Sequence, residues 1–380
     1  RVWVRLPVYM SCQRSDLPGP QRGAALIVAM LVFALVAALL VGLQRDFSLT
    51  LQRGTQQLFA EQAWAYLLGA EGLAQLALQA DNREDALVDA PTDHLGELWA
   101  QPATPYPLDA GGEMRGQIED LQGRFNLNLL LDAASPGGSG EAAGEDDPDN
   151  GDNEAEEGAT PPAQNGTQTG SERWGPGQKV LIRLLQTLGE EALSLEEAMA
   201  LTEAISDFID RDSDKRKNGA EAEDYRYADF PYLPANQPLA SVSELRAVRG
   251  MTSGLYEALR PWITVWPETG AKINILTAPL PVLRSLNADD KWEPMPVNEV
   301  ERLLAMRAEG EITSVEDLLS DPSFEGQAVT ELQTLLGVRS RWFLLDASVE
   351  LVSRERHLFS VLHRTAAGPV SAVFRSEGEL

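Results

Sequence analysis

The sequence is poor in the residues that most enzymes and disulfide-stabilised domains use. It contains one cysteine, Cys12, and three histidines, His94, His357 and His363. One cysteine cannot form a disulfide within the chain, so packing and hydrogen bonds must hold the fold. The sequence also lacks zinc-ligand spacing, a phosphate-binding glycine loop and a nucleophile motif. We therefore predict that this protein is not an enzyme.

Charged residues are absent from one long stretch near the N-terminus, residues 24–43. A helix of this length would span about 30 Å, which is the thickness of the hydrocarbon core of a bilayer. A cleavable secretory signal would be shorter and would end in a small-x-small motif, which is missing here. The stretch is therefore predicted to be a transmembrane helix that stays on the protein.

Basic residues precede this helix and acidic residues dominate after it. Four of the 31 basic residues and one of the 58 acidic residues precede Ala24, so the remainder of the chain has a formal charge of −30. Because segments with basic flanks tend to stay in the cytoplasm, we predict a single-pass protein with a cytoplasmic N-terminus and an exported remainder.

The apolar pattern continues beyond residue 43 with helical spacing. This pattern predicts that the helix extends to about residue 80 and packs along one face. Eight large apolar side chains define the predicted face: Phe47, Leu51, Leu58, Phe59, Tyr66, Leu67, Leu73 and Leu76.

The order of the remaining segments predicts an α+β fold. Residues 113–131, within a first part that covers residues 44–132, are predicted to form a short hairpin with its turn near Gln122 and Gly123. Residues 176–340 contain short helical patterns separated by Gly, Pro or Asn, which predicts a mostly helical domain. Residues 341–380 contain three predicted strands, and two of the histidines lie there as expected surface residues of a sheet.

An acidic insertion is predicted at residues 133–175. Residues 133–172 hold ten acidic residues, no basic residue and no apolar residue larger than alanine. Such a segment cannot bury enough apolar surface to offset the conformational entropy lost on folding. We predict that it is a disordered surface insertion.

The segment FIDRDSDKRKNGAEAEDYRY, residues 208–227, carries the best candidate for a metal site. Its acidic residues begin a twelve-residue loop at positions one, three and five and end it at position twelve, as the oxygen ligands of an EF-hand do. Lys215 stands at position six, where an EF-hand requires glycine, so a solvated loop neutralised by its own basic residues is the alternative. The candidate calcium ligands are Asp210, Asp212, Asp214, Glu221, Glu223 and Asp224.

A short polar leader that ends in glycine before a long apolar helix resembles the type IV pilin signal. Here the leader ends at Gly23, and translation from Met10 would make it 14 residues long. In that family a prepilin peptidase cleaves after the glycine and methylates the new amine. The resemblance implies cleavage between Gly23 and Ala24, N-methylation of Ala24 and loss of Cys12 with the leader.

The fifth residue after this cleavage point indicates which type of pilin-like protein the chain resembles. Most pilins and pseudopilins have glutamate there, and it neutralises the N-terminal amine of a neighbouring subunit. This chain has Val28. The missing carboxylate, the phrase IEDLQGRFNLN at residues 118–128 and the GAEAEDYRY loop together resemble the K-type minor pseudopilins of the type II secretion system (general secretion pathway protein K family).

This resemblance implies a fold, a function and partners. The expected fold is a pilin-like long N-terminal helix plus a small antiparallel sheet, with a large mostly α-helical domain inserted between strands and with calcium bound in that domain. The expected function is to cap the pseudopilus tip in the periplasm with the I- and J-type minor pseudopilins and to start assembly, for export of folded proteins across the outer membrane. The prepilin peptidase, the major pseudopilin, the secretin and secreted cargo are further expected partners, and the expected location is the bacterial inner membrane.

Two other functions stay open from the sequence. An unprocessed, membrane-anchored periplasmic interaction protein would share the same anchor and charge distribution. Residues 245–265 also resemble parts of the helix-hairpin-helix repeats of DNA-uptake factors, although Gly250 is followed by Met251 and Thr252, so the hairpin glycine pair is incomplete. Because the exported region is strongly acidic, we predict no nucleic-acid partner.

Overall fold

The computed structural model describes residues 24–102, 104–109, 111–131, 174–227, 231–351, 354–365 and 368–378. The predicted leader, including Gly23, and residues 133–173 of the predicted acidic insertion lie outside these residues. The chain divides into two compact units, Arg1–Gln62 and Ala63–Leu380.

Helix α1 runs from Ala24 to Asp85, so the predicted long helix is confirmed and ends five residues later than expected. Within the first unit most of its large apolar side chains are exposed, as Phe33 is at 75%. Among the described residues, α1 is the one helix long and apolar enough to cross a membrane, and its apolar part lies near the N-terminus. These properties suit a membrane anchor.

The predicted packing face of α1 is only partly right in the second unit, where Leu67 is buried as predicted. Leu73 and Leu76 are 57% and 62% exposed. Both the predicted set and the buried set recur every three or four residues, so spacing alone could not separate them. Mostly small side chains face the core. The buried apolar residues of this part of α1 are Ala63, Leu67, Ala70, Ala74 and Leu78.

A five-stranded antiparallel sheet lies in the second unit, with the order β1-β2-β7-β8-β9. Strands β2 and β7 are neighbours in the sheet, with Asp120 opposite Phe343, although the whole helical region lies between them in the chain. The three strands predicted near the C-terminus are confirmed as β7, β8 and β9. The strands are β1 (Tyr106–Pro107), β2 (Glu113–Asp120), β3 (Phe125–Asn126), β4 (Ile263–Thr264), β5 (Ile273–Asn274), β6 (Leu336–Gly337), β7 (Trp342–Leu351), β8 (Arg354–Arg364) and β9 (Val370–Ser376).

The helical region packs around α2, whose side chains are nearly all buried. Even its Arg183 is buried, and the guanidinium donates hydrogen bonds to the backbone carbonyls of Ser285, Ala288 and Lys291. A long N-terminal helix, a small antiparallel sheet and a helical region between two of its strands confirm the predicted fold class. The helices are α2 (Pro176–Leu185), α3 (Leu195–Ile209), α4 (Ala222–Arg226), α5 (Ser253–Leu259), α6 (Leu280–Ser285), α7 (Val297–Ala308), α8 (Val315–Leu319) and α9 (Thr330–Leu335).

The predicted hairpin at residues 113–131 is wrong. Strand β2 forms, but β3 has two residues and pairs in parallel with β4 of the helical region rather than with β2. The chain around Gln122 is a short 3₁₀ helix, not a hairpin turn. From Phe125 to Leu129 the alternation of apolar residues was misleading because Asn126 and Asn128 between them are buried as well.

Those buried polar side chains explain the phrase IEDLQGRFNLN physically. Asn128 accepts from the backbone N–H of Leu239 and donates to the carbonyls of Leu239 and Val265. Gln122 accepts from the backbone N–H of Arg341. Because buried polar groups need partners, Asn128 joins this segment to the helical region and Gln122 joins it to the residue before β7. The phrase therefore has a structural role.

Candidate cation site and family assignment

The acidic loop connects two helices of the helical region. Helix α3 ends at Ile209, and Glu221 is the residue before α4. Carboxylate oxygens of Asp210, Asp212 and Glu221 all lie within 4.8 Å of one another. Three negative groups at such distances repel each other unless a positive charge lies among them.

Buried oxygen atoms without partners are the strongest feature of this cluster. Asp210 Oδ1 and both carboxylate oxygens of Glu221 are inaccessible to solvent and have no hydrogen-bond partner. A buried polar group without a hydrogen-bond partner lowers the stability of the fold by about 1–3 kcal/mol, and a charged group lowers it by more. A hard cation that binds oxygen ligands, such as calcium, would satisfy all three atoms, so the residues present fit a calcium ion.

The basic residues of the loop neutralise only part of the acidic charge. The guanidinium of Arg216 lies 2.5 Å from Asp207 Oδ1 and 2.5 Å from Asp210 Oδ2. Lys215 pairs with Asp224 at 2.8 Å. Neither interaction reaches Glu221. The predicted alternative, a loop neutralised by its own basic residues, therefore holds for Asp224 and for one oxygen of Asp210 and does not extend to Glu221.

The pKa values in the cluster follow from this arrangement. Burial, and then the negative charges of Asp207 and Asp210, raise the pKa of Glu221 to about 7. Burial also raises the pKa of Asp210, against the lowering effect of Arg216. Both carboxylates are therefore less stable as anions in this loop than they would be in water.

Three of the six predicted calcium ligands are thus brought together. The other three, Asp214, Glu223 and Asp224, do not belong to the cluster. The Asp224 carboxylate is occupied by Lys215 and Arg249, and Glu223 is exposed. Asp207 was missed because it lies inside α3, before the loop. Its spacing of three residues from Asp210 on a helix was the available signal.

Replacing Gly219 by alanine is expected to lower the free energy of unfolding by about 1–3 kcal/mol, because overpacking forces neighbouring groups to move. A Cβ atom at Gly219 would collide with the Asp207 carboxylate, which holds Arg216. Urea unfolding followed by circular dichroism measures the change. The matched control is Gly72→Ala in α1, where a Cβ meets no atom within 4 Å and a gain of up to about 1 kcal/mol is expected. Equal stability of Gly219→Ala and the unmodified chain would contradict the tight contact.

A second acidic cluster lies where α1 ends beside the sheet, and it already contains a cation. Oxygens of Asp81, Asp93 and Glu97 lie within 4.8 Å of one another. The buried guanidinium of Arg364 pairs with Asp81 and Asp93 and donates to the carbonyl of Ser340 at 2.7 Å. Burial raises the pKa of Glu97 to about 8, which favours its uncharged form at neutral pH. This cluster is a structural ion-pair network.

His357 and His363 belong to neither cluster, whereas His94 Nε2 lies 3.6 Å from Glu97 Oε1 of the second cluster. His357 and His363 are both on β8, six residues apart, which is about 20 Å along a strand. His363 stacks on Trp342 with ring centroids 4.3 Å apart. Neither residue belongs to a group of potential metal ligands in the described part of the chain.

Comparisons with known proteins decide the family. Two protein-family models match the chain, one at residues 123–268 and one at residues 273–339, and both describe type II secretion system (T2SS), protein K. Together these matches cover more than half of the chain. The chain belongs to the type II secretion system protein K family. Both matches lie in the region between β2 and β7, so the protein K signature includes the cluster of Asp210, Asp212 and Glu221 and excludes the apolar helix.

Curated members of the protein K family and a solved structure agree. The chain is 30% identical over 361 residues to type II secretion system protein K of Pseudomonas aeruginosa, covering 94% of this chain and 93% of the relative. It is 31% identical over 346 residues to the Klebsiella pneumoniae protein, covering 90% and 93%. The GspK-GspI-GspJ complex of the enterotoxigenic Escherichia coli type 2 secretion system matches with TM-score 0.62, 26% identity and coverage of 86% of this chain and 100% of that chain. The long helix and sheet are thus the pilin-like part of a protein K fold.

Proposed function

We propose that this chain is a minor pseudopilin that caps the tip of the type II secretion pseudopilus and starts its assembly, for export of folded proteins across the outer membrane. The observation that carries the proposal is the absence of an acidic residue between Ala24 and Asp46, with Val28 at the fifth position. A neighbour's N-terminal amine buried next to Val28 would have no carboxylate partner, and an unpaired buried charge costs several kcal/mol. At the tip no further subunit follows, so no N-terminal amine has to be buried next to Val28.

The expected partners follow from the matched structure. That structure is a complex of GspK with GspI and GspJ, which supports the I- and J-type minor pseudopilins as partners of this chain. Mixing the chain with the I- and J-type subunits of its own organism is expected to give one ternary complex in size-exclusion chromatography with light scattering. Separate elution of all three proteins would contradict the proposal. Contacts with the major pseudopilin, the secretin and cargo would follow from a position at the tip.

Processing by a prepilin peptidase is part of the same proposal. Cleavage between Gly23 and Ala24 would leave the apolar helix on the protein with an N-methylated amine. Mass spectrometry of the membrane-extracted chain, with and without co-expressed peptidase, is expected to detect N-methyl-Ala24 only when the peptidase is present. An intact leader in both samples would favour the unprocessed, membrane-anchored periplasmic interaction protein instead.

The proposed location is the inner membrane, with the N-terminus in the cytoplasm and residues beyond the apolar stretch in the periplasm. The basic residues before Ala24 and the charge of −30 after it support this orientation. Protease added to spheroplasts is expected to digest the region after residue 43. Protection of that region from the protease would contradict the orientation.

Calcium is the proposed ligand of the acidic cluster. Asp210, Asp212 and Glu221 would hold the ion. Because Gly219 has no Cβ, the Asp207 carboxylate fits against it and pairs with Arg216. When bound, calcium would balance two of the three negative charges, beside the ion pair of Arg216 with Asp210, and so hold the loop between α3 and α4 in one conformation. The proposed role is structural.

Calcium affinity is expected to depend on pH because calcium binds ionised carboxylates. The pKa of Glu221 lies near 7 without the ion, so below that value a proton competes with calcium for this ligand. Affinity measured by calorimetry should fall about tenfold for each pH unit from about pH 7 down to about pH 5.5. Constant affinity over this range would show that Glu221 is not a ligand.

A further inference from the structure

One cavity in the second unit has an environment unlike the rest of this acidic chain. It has a volume of ≈ 540 Å³ and lies between residues 266–272 of the helical region, residues 339–342 and the end of β8. This volume falls within the range of ligand pockets, about 300–1,000 Å³. A cavity of this size accommodates an extended segment rather than a single ion.

Cations outnumber carboxylates in its lining. Lys272 and Arg341 line the cavity, and neither has an ion-pair partner among the described residues. The other two arginines of the lining, Arg339 and Arg364, pair with carboxylates of their own. Glu268 is the one acidic residue in the lining. Lys272 and Arg341 are exposed and therefore available to an anionic ligand.

Aromatic residues form one wall and add neutral hydrogen-bond donors. Trp342 stacks between Trp266 and His363, with ring centroids 5.2 Å and 4.3 Å apart. Neither indole N–H of this wall donates a hydrogen bond to another described residue, whereas the indole of Trp99 donates to Glu97. Burial and the nearby charge of Arg341 lower the pKa of His363, so it is neutral at pH 7. The unused donors are thus of two kinds, charged and neutral.

We propose that this cavity binds an acidic peptide segment of a partner protein. Carboxylates of the segment meet Lys272 and Arg341, and its backbone carbonyls accept hydrogen bonds from the indoles of Trp266 and Trp342. A peptide supplies both kinds of acceptor along one chain, which an inorganic anion does not. Charge complementarity supports the choice, because four cationic side chains and one carboxylate line the cavity of an otherwise strongly acidic chain.

Calorimetry on the full-length chain in detergent tests the proposal with an eight-residue, end-blocked peptide of alternating glutamate and glycine. Saturable binding is expected, and the matched peptide with glutamine in place of glutamate should bind at least about tenfold more weakly because it loses charge-assisted hydrogen bonds. Raising the salt concentration should weaken the glutamate peptide only. No saturable binding, or equal binding of both peptides, would overturn the proposal.

A pair of variants locates the binding. Lys272→Gln combined with Arg341→Gln should weaken the glutamate peptide by at least about tenfold. Lys291→Gln, which removes an exposed lysine outside the cavity, should leave the affinity unchanged. All substituted residues are exposed, so thermal unfolding should be the same for the three proteins. Unchanged affinity in the double variant, or an equal loss in Lys291→Gln, would overturn the assignment to this cavity.

Discussion

Replacing Arg364 by methionine is expected to lower the free energy of unfolding by about 3–5 kcal/mol, the usual cost of removing one partner of a buried ion pair. The Arg364 side chain is 2% exposed, and its partners Asp81 and Asp93 are 12% and 0% exposed. Without the guanidinium, two carboxylates lie buried beside Glu97 with no compensating charge. Methionine keeps an apolar side chain of similar reach, but it removes the contact of the guanidinium with the Phe343 ring and the hydrogen bond to the Ser340 carbonyl as well as the charge.

Denaturant unfolding followed by tryptophan fluorescence measures this loss. Arg341→Met is the matched control, because Arg341 is exposed and has no ion pair among the described residues, so a change within about 0.5 kcal/mol is expected. The deficit of Arg364→Met should shrink on acidification, since protonated carboxyls need no cation. Stability equal to that of the control at neutral pH would contradict a role for Arg364 in joining α1 to the sheet.

Calcium is expected to raise the melting temperature of the unmodified chain and to have no effect on Glu221→Gln. An ion at one hundred times its dissociation constant stabilises the folded state by about 2.7 kcal/mol if it binds only there. Without calcium the unmodified chain should no longer be the more stable of the two proteins. Glu221→Gln removes a buried carboxylate that has no hydrogen-bond partner, so the variant should then be at least as stable as the unmodified chain.

This dependence on calcium separates a ligand from an ordinary stabilising residue. Glu223→Gln is the matched control, because Glu223 is exposed two residues further on and lies outside the cluster. It should retain the full response to calcium. A Glu221→Gln protein that calcium stabilises as much as the unmodified chain would contradict the proposed site, and so would a variant destabilised equally with and without the ion.

The sequence could predict only those residues of the candidate site that lie close together in the chain. Asp210, Asp212 and Glu221 were found because they belong to one loop of fixed length. The spacing overestimated the set, since Asp224 is taken up by Arg249, 25 residues away in sequence. The contact of Arg216 with Asp207 also depends on how the loop folds back on α3, which no period in the sequence encodes.

The order of helices and strands could be predicted from the sequence, whereas contacts between residues far apart in the chain could not. Periodicity identified α1 and the three C-terminal strands. It failed for β3, whose partner β4 lies more than 130 residues further along the chain. The ion pairs of Arg364 with Asp81 and Asp93 span 283 and 271 residues. Such contacts depend on tertiary packing rather than on local preference.

The central claim, a position at the tip of the pseudopilus, is tested most directly by counting this chain in filaments of different length. Pseudopili sheared from cells and sorted by length would be quantified by mass spectrometry, with the major pseudopilin as the reference. If the chain caps the tip, its copy number per filament stays constant while the copy number of the major pseudopilin rises with length. A copy number that rises in proportion to length would contradict the proposed function.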